Sequence, residues 1–224
     1  MQTLKTQVIV LRRTNYGESD RIVQFITPHD GKVSAIAKAV RREKSKLASS
    51  IELLSVSDVV ITKGKSDLGI LTSARLVVFY ADIMKDYDRL EFSYEAIKNI
   101  SRLAEHVPEM SLFDLAKTLL ESLNNLKIDL RIIKTWFYLQ VAEAHGHGLN
   151  LSRDDNNEPL REDAQYRFDI SEMAFAQHKN GTITASHLKL LKILKLKSPE
   201  VIAHVSGIGA YLDDCVSLAR AVAE

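Results

Sequence analysis

Five basic residues fall within nine positions of the chain, in the segment Lys38-Ala39-Val40-Arg41-Arg42-Glu43-Lys44-Ser45-Lys46. A single acidic residue, Glu43, stands among them. Lysine and arginine side chains neutralise phosphate groups and release the counterions that a nucleic acid holds, so the segment predicts contact with a polyanionic backbone. A solvated surface loop has a similar composition, and this alternative stays open on charge alone.

Other side chains of the first 80 residues extend this candidate site. The predicted phosphate-binding residues are Arg21, Lys38, Arg41, Arg42, Lys44, Lys46, Lys63 and Lys65. Among the aromatic residues of this part, Tyr16 lies in a polar turn and is the candidate for stacking on a base. Phe25 and Phe79 lie inside apolar runs, where we expect core residues.

The sequence lacks the motifs of the common catalytic classes. It contains no Walker-type phosphate loop, no G-x-S-x-G and no H-E-x-x-H. The single cysteine, Cys215, lies on an apolar helical stripe, where we expect a buried and unreactive thiol. Asp82, Asp86 and Asp88 are typical of a helix start or linker, with a magnesium-dependent nuclease site as the alternative. We therefore predict a protein that is not an enzyme.

Charge divides unevenly along the chain. Residues 1–80 carry 13 basic and 7 acidic side chains, whereas residues 81–224 carry 17 and 22, and the net charge of the chain is +1. One cysteine excludes an intramolecular disulfide and a zinc site with two or more thiolates, which favours a reducing cytoplasm. No stretch approaches the roughly 18 apolar residues of a membrane span, and no leader pattern follows Met1, so we expect neither secretion nor membrane insertion.

Short apolar runs rich in β-branched residues predict five strands in the first 80 residues. These strands are expected at 8–11, 22–27, 33–38, 56–62 and 70–79. The sequence Pro28-His29-Asp30-Gly31 predicts a hairpin turn between the second and third strands. A flat sheet of this size would leave two exposed edges, so a small closed or partly open barrel is favoured.

After Tyr80 the apolar period changes to that of helices. Helices are expected at 88–107, from 112, after 129, at 186–196 and from about 208 to 222. A polar insert at 146–181 interrupts them and contains one strand-like segment at 166–170. We predict an α+β chain of two domains, a barrel at 1–80 and a helical bundle at 81–224.

Three ordered blocks in the first 80 residues resemble the N-terminal signature of the RecO family. The blocks are Asn15-Tyr16-Gly17-Glu18-Ser19-Asp20-Arg21-Ile22-Val23, residues 30–38 with 41–45, and residues 63–71. The order of helices and insert is also similar, although it matches more loosely. The resemblance implies an N-terminal OB-fold β-barrel followed by an α-helical bundle, in a bacterial, nucleoid-associated DNA repair and recombination mediator of the RecF pathway.

The resemblance also implies partners. Members of the family bind single- and double-stranded DNA, anneal complementary strands and, with RecR, help RecA to load onto DNA coated by single-strand-binding protein. A pocket for the acidic tail of single-strand-binding protein is implied as well, with Arg131 at a helix start as the candidate and Lys134 as its neighbour. A solvated role for Arg131 stays open. For the whole chain, the alternative is a protein-only scaffold of the repair machinery with little DNA affinity.

Many members of this family carry a four-cysteine zinc site in the insert. This chain has no cysteine there. We therefore expect no bound metal and no cofactor, with the insert held together by packing and hydrogen bonds.

Overall fold

The computed structural model describes residues 2–45, 47–64, 67–106 and 111–224. Packing divides the chain into two compact units. We call the described residues up to Asn124 the barrel unit and residues Asn125–Glu224 the helical unit.

The barrel unit contains five strands that close into a barrel in the order β1-β2-β3-β5-β4. They are β1 (Gln2–Tyr16), β2 (Asp20–Ile26), β3 (Lys32–Ala37), β4 (Ser55–Lys63) and β5 (Leu68–Phe79). The first half of β1 pairs with β4 and its second half with β2, both antiparallel. A parallel pairing of residues 34–36 with residues 68–70 joins β3 to β5 and closes the barrel. This five-stranded arrangement is an OB-fold, as predicted.

Apolar side chains at alternate strand positions fill the barrel interior. Phe25 lies in this interior with no exposed surface, which confirms its predicted core position. Phe79 is 36% exposed, so the prediction of a core position for it is wrong. The reason is topological, because β5 pairs with β3 only over residues 68–70 and its later residues have β4 as their partner.

The predicted hairpin turn connects β2 to β3. The backbone N–H of Thr27 donates to the carbonyl oxygen of Gly31 at 2.9 Å, and the Thr27 hydroxyl accepts from the N–H of Asp30 at 2.9 Å. Gly31 adopts a φ of 59°, a left-handed conformation that glycine takes without steric cost. The turn chemistry read from the sequence therefore fixes the register of this pair.

Two helices complete the barrel unit, α1 (Tyr87–His106) and α2 (Leu112–Asn124). Lys32, at the start of β3, donates to the backbone oxygen of Ser101 in α1 and forms an ion pair with Glu105 at 2.8 Å. The hydrogen bond from Lys32 holds the pKa of Glu105 below its usual range. The packing boundary thus falls after α2, later than the change from strand to helix, and the domain division at residue 80 stays a prediction.

The helical unit contains four helices and one small hairpin. They are α3 (Leu130–Ala144), β6 (Tyr166–Asp169), β7 (Ala174–Gln177), α4 (Ala185–Leu196), α5 (Pro199–Ile202) and α6 (Leu212–Ala223). Helix α3 packs against α6 and α4 through its apolar side chains. Within the described residues of both units, no helix has the length and apolar character needed to cross a membrane.

Aromatic packing holds the insert together. The rings of Phe168 and Phe175 lie 5.0 Å apart between centroids, and Tyr166 meets Phe175 edge-on at 6.4 Å. The Tyr166 hydroxyl accepts a hydrogen bond from the backbone N–H of Arg161 at 2.8 Å. The side chains of the insert therefore do not fit a four-thiolate zinc site, because the insert contains no cysteine and its aromatic rings pack against one another.

Candidate nucleic-acid interface

The loop that follows β3 carries the predicted phosphate-binding cluster, and we call its described residues 38–45 the basic loop. Val40 anchors this loop, because its side chain is 2% exposed and belongs to the barrel interior. The charged residues around it, Lys38, Arg41, Arg42 and Lys44, are exposed. One apolar residue within a charged segment therefore fixes the loop to the barrel and turns the cations toward solvent.

Hydrogen bonds tie the basic loop to the turn between β1 and β2. The backbone N–H of Ala39 donates to Oδ1 of Asp20 at 2.7 Å, and the N–H of Arg41 donates to the carbonyl oxygen of Ser19 at 2.9 Å. Nη1 of Arg41 also donates to the carbonyl oxygen of Gly17 at 3.3 Å. The loop is thus attached by its backbone, and most of the arginine donors stay available to a ligand.

Ala39 takes a φ of 53°, a left-handed conformation that is uncommon for alanine. The charge-assisted bond from its N–H to the Asp20 carboxylate stabilises this conformation. The turn and the loop therefore hold each other in shape.

The cations of the basic loop have no acidic partner within the part of the chain that the structure describes. Two other arginines of the barrel differ, because Arg13 pairs with Glu52 at 2.6 Å and Arg75 pairs with Asp58 at 2.5 Å. The Arg75 hydrogen bond also lowers the pKa of Asp58. The loop cations keep their full charge for phosphate groups, as counterion release requires.

The remaining predicted phosphate contacts lie at different places. Arg21 is partly buried at the rim of the barrel, on the same face of β2 as the interior residue Val23, and its Nε donates to Oδ1 of Asn15 at 3.2 Å. Lys63 ends β4 and lines a cavity with Lys32 beside the β4–β5 turn, whereas the basic loop follows the opposite end of β3. Lys46 and Lys65 lie outside the described residues.

An exposed aromatic side chain stands next to the basic loop. Tyr16 is the last residue of β1 and precedes Gly17, whose carbonyl oxygen accepts from Arg41. Its side chain is 54% exposed. Such a ring offers a flat surface on which a base can stack.

The cysteine and two of the aspartates that the sequence offered as alternative reactive groups are buried or have hydrogen-bond or ion-pair partners. Cys215 is fully buried, and desolvation with the nearby Asp214 charge raises the pKa of its thiol to about 12. Asp82 pairs with Lys85 at 2.6 Å, and Oδ1 of Asp86 accepts from a backbone N–H at the start of α1. Among the residues described, no group of three or more His, Cys, Asp or Glu side chains is arranged to hold a metal ion.

Arg131 lies at the start of α3 and already holds two carboxylates. Nη2 of Arg131 contacts Oδ2 of Asp129 at 2.7 Å, and Nη1 contacts Oδ2 of Asp213 at 3.1 Å. The hydrogen bonds that Arg131 donates to Asp129, and then those that it donates to Asp213, raise the pKa of its guanidinium. Lys134 follows on the same helix and is partly exposed. A partner carboxylate would have to displace Asp213, whose side chain is 79% exposed.

Sequence reasoning missed the residues that shape the basic loop. Val40 carried a signal, since it is the apolar residue inside a charged run. Asp20 and Ser19 carried none, because their contacts with residues 39 and 41 depend on how β2 and β3 pair. The composition of the segment identifies the cations, whereas the contacts that hold the loop in place depend on the tertiary structure.

The chain combines an OB-fold barrel that carries an anchored cationic loop with a series of helices that follows the barrel in sequence. Barrels of this class bind oligonucleotides across β2 and β3 and the adjoining loops. Residues 1–80 match the family model described as "Recombination protein O N terminal". The predicted resemblance to the RecO family is thereby confirmed.

Three curated proteins give the extent of the similarity. The DNA repair protein RecO of Acetivibrio thermocellus is 32% identical over 148 residues, which are 62% of this chain and 59% of that protein. The protein of the same name from Alkaliphilus metalliredigens is 31% identical over 144 residues, 64% of this chain and 58% of that protein. The DNA repair protein RecO of Bifidobacterium longum strain NCC 2705 is 35% identical over 105 residues, which are 46% of this chain and 44% of that protein. The chain thus covers less than two thirds of the length of these relatives.

Proposed function

We propose that this chain is a DNA repair and recombination mediator that binds single- and double-stranded DNA through the basic loop and has no catalytic turnover. The observation that carries the proposal is the loop itself. Lys38, Arg41, Arg42 and Lys44 are exposed on an anchored backbone, and no acidic side chain in the described part of the chain pairs with them. The similarity to proteins named DNA repair protein RecO supports a role in repair.

The proposed mechanism is electrostatic. The loop cations bind phosphates without reading base edges, so sequence preference is weak. Arg21, Lys46, Lys63 and Lys65 extend the phosphate contacts along the barrel. Annealing follows because two strands held against the same cations repel each other less than they do in solution.

The proposed partners follow from the family resemblance. The chain works with RecR in the RecF pathway and helps RecA to replace single-strand-binding protein at the bacterial nucleoid. Arg131, with Lys134, takes the carboxylate of the acidic tail of single-strand-binding protein. The contact with Asp213 supports this assignment, since an exposed carboxylate already occupies the guanidinium in the way that a peptide carboxylate would.

The direct test is binding of a labelled single-stranded oligonucleotide, followed by fluorescence anisotropy over a salt series. The chain is compared with the double variant Arg41→Glu, Arg42→Glu. At low salt we expect binding to weaken by at least about tenfold, and the slope of log affinity against log salt to fall by about two, because two phosphate contacts are lost.

A matched control carries the same change in charge on α1, where Lys98 and Arg102 are exposed. The variant Lys98→Glu, Arg102→Glu should keep the wild-type slope. Equal losses in both variants would remove the basic loop from the proposal. Absence of DNA binding by the wild type at low salt would favour the protein-only scaffold.

A further inference from the structure

Three isoleucines stand in register on the outer face of the barrel. Ile22 of β2 lies opposite Ile36 of β3, and Ile36 lies beside Ile70 of β5. Their chain neighbours Val23 and Leu71 belong to the barrel interior, so alternation along each strand turns the isoleucines outward. We call Ile22, Ile36 and Ile70 the isoleucine row. Residues directly opposite on neighbouring strands lie about 5 Å apart, so the row is continuous across three strands.

The row is open to solvent where other apolar residues of the outer face are covered. Ile9 and Ile26 pair across β1 and β2, lie outside the interior cluster, and are nevertheless only 0% and 1% exposed. Ile26 lines a cavity together with Ala104 of α1 and Leu112 of α2, which shows what covers that end. Ile70 is 40% exposed, and the other two members of the row are partly exposed. The helices thus cover one end of the face and leave the row accessible.

Cations and an aromatic ring adjoin the row. Lys38 follows the last residue of β3 and lies two positions after Ile36 in the chain. Tyr16 follows Thr14 by two residues, and Thr14 pairs with Ile22. The exposed arginines of the basic loop, Arg41 and Arg42, follow three and four residues after Lys38. The surface therefore combines an apolar strip with positive charge along one border.

This combination is complementary to a single strand of DNA, which carries phosphates on one side and exposed base faces on the other. A duplex buries its base faces in the stack, so it offers phosphates to the loop but nothing apolar to the row. Single-strand grooves of this fold ordinarily place aromatic rings under the bases. Here isoleucines occupy the centre of the face, and Tyr16 stands at its border.

We propose that the isoleucine row is the platform for the bases of single-stranded DNA, and that it gives the barrel unit a preference for single strands over duplex. The proposal rests on the proposed function, because the basic loop holds the phosphates while the row receives the bases. Aliphatic side chains accept any base by apolar contact, so no sequence preference accompanies this selectivity.

The first test uses the double variant Ile36→Thr, Ile70→Thr in the full chain. Threonine is β-branched and suits a strand, while its hydroxyl makes the platform polar. Three labelled probes of equal length are compared at fixed salt: a mixed-sequence single strand, its duplex, and an abasic single strand. We expect binding of the ordinary single strand to weaken by about fivefold to tenfold, with the duplex, the abasic strand and the salt slope unchanged.

The control variant is Leu76→Thr, Val77→Thr, which changes two exposed apolar residues at the far end of β5. It should bind all three probes as the wild type does. A second variant, Ile70→Phe, places an aromatic ring on the platform and should tighten binding of the ordinary single strand alone. A misfolded protein cannot produce that gain.

The outcomes separate the two proposals. Suppose that the wild type binds DNA and the threonine variant binds each probe with the wild-type affinity. The isoleucines then serve only to pack the strands, so the platform is overturned while the proposed function stands. Equal weakening toward single strand, duplex and abasic strand would also overturn the platform, because bases would not be involved. A wild type that binds none of the probes overturns the proposed function itself.

Discussion

The arginines of the basic loop and Arg131 of the helical unit are held in place by different kinds of partner. Arg41 is attached through its backbone N–H to Ser19, and Val40 beside it is buried in the barrel. Arg131 is attached through its guanidinium, which contacts the carboxylates of Asp129 and Asp213. The positive charge of Arg41 therefore remains available to an external anion, whereas the charge of Arg131 is already compensated by two carboxylates.

We expect a polyanion to bind more easily at the basic loop than at Arg131. A phosphate that approaches the basic loop meets cations without an internal competitor among the described residues. A carboxylate that approaches Arg131 must first replace Asp213, and exposed ion pairs of this kind contribute only about 0–1 kcal/mol. The loop is therefore suited to many weak phosphate contacts, and Arg131 to exchange of one carboxylate for another.

The largest expected effect comes from removing the anchor of the basic loop. In Val40→Ala, the lost methyl groups and the cavity they leave should lower the free energy of unfolding by about 2 kcal/mol. The loop also becomes more mobile, so single-strand binding should weaken although every cation remains. Urea titration followed by circular dichroism measures the first effect, and anisotropy measures the second.

The matched control is Val77→Ala, at a residue that is 48% exposed. A substitution at such a surface position should change stability by no more than about 0.5 kcal/mol. If Val40→Ala left both stability and DNA binding at the wild-type values, backbone anchoring would not distinguish the loop from a flexible arm.

The number of barrel strands and their approximate positions could be predicted from the sequence, but their lengths and their pairing could not. The apolar run at 8–11 marks only the middle of β1, which extends from Gln2 to Tyr16. Its residues on either side of this run are mostly polar and largely exposed, and they are strand residues because β4 and β2 supply their hydrogen-bond partners. Apolar periodicity reports burial, so a strand that extends beyond the buried region is underestimated.

The sequence predicts which charged residues belong to the site, but it does not predict how they are held or which residues lie beside them. Composition placed Arg41 and Arg42 in it, and nothing in the sequence joined them to Asp20. The isoleucine row also escaped prediction, because Ile36 and Ile70 become neighbours only through the parallel pairing of β3 with β5. Phe79 shows the converse, since an apolar residue in a strand pattern ended up at the surface.

The next effect in size concerns the helical unit. A synthetic peptide with the acidic C-terminal sequence of single-strand-binding protein is titrated against the full chain by calorimetry. In Asp213→Asn the internal competitor loses its charge, so binding should tighten by about threefold to fivefold. In Arg131→Ala it should weaken by about tenfold, because a charge-assisted contact is lost.

If peptide affinity rises in Asp213→Asn and falls in Arg131→Ala, these opposite changes identify Arg131 as the residue that binds the peptide carboxylate. Asp129 is left unchanged in both, since it caps α3 by accepting the N–H of residue 131. If Asp213→Asn weakened the peptide complex, or if Arg131→Ala left it intact, Arg131 would be a structural residue of the helical unit.

The smallest expected effect concerns Asp20, whose carboxylate accepts a hydrogen bond from the backbone of the basic loop. Asp20→Asn keeps an oxygen that accepts the N–H of Ala39 and removes a negative charge beside the cations. Single-strand binding should tighten by about twofold at low salt and return to the wild-type value at high salt, because the remaining interaction is a screened one between exposed charges. Glu91→Gln, an equal change of charge at an exposed position of α1, should leave binding unchanged. Weaker binding by Asp20→Asn would mean that the charged carboxylate is needed to hold the left-handed backbone of Ala39, and that the loop depends on side-chain electrostatics as Arg131 does.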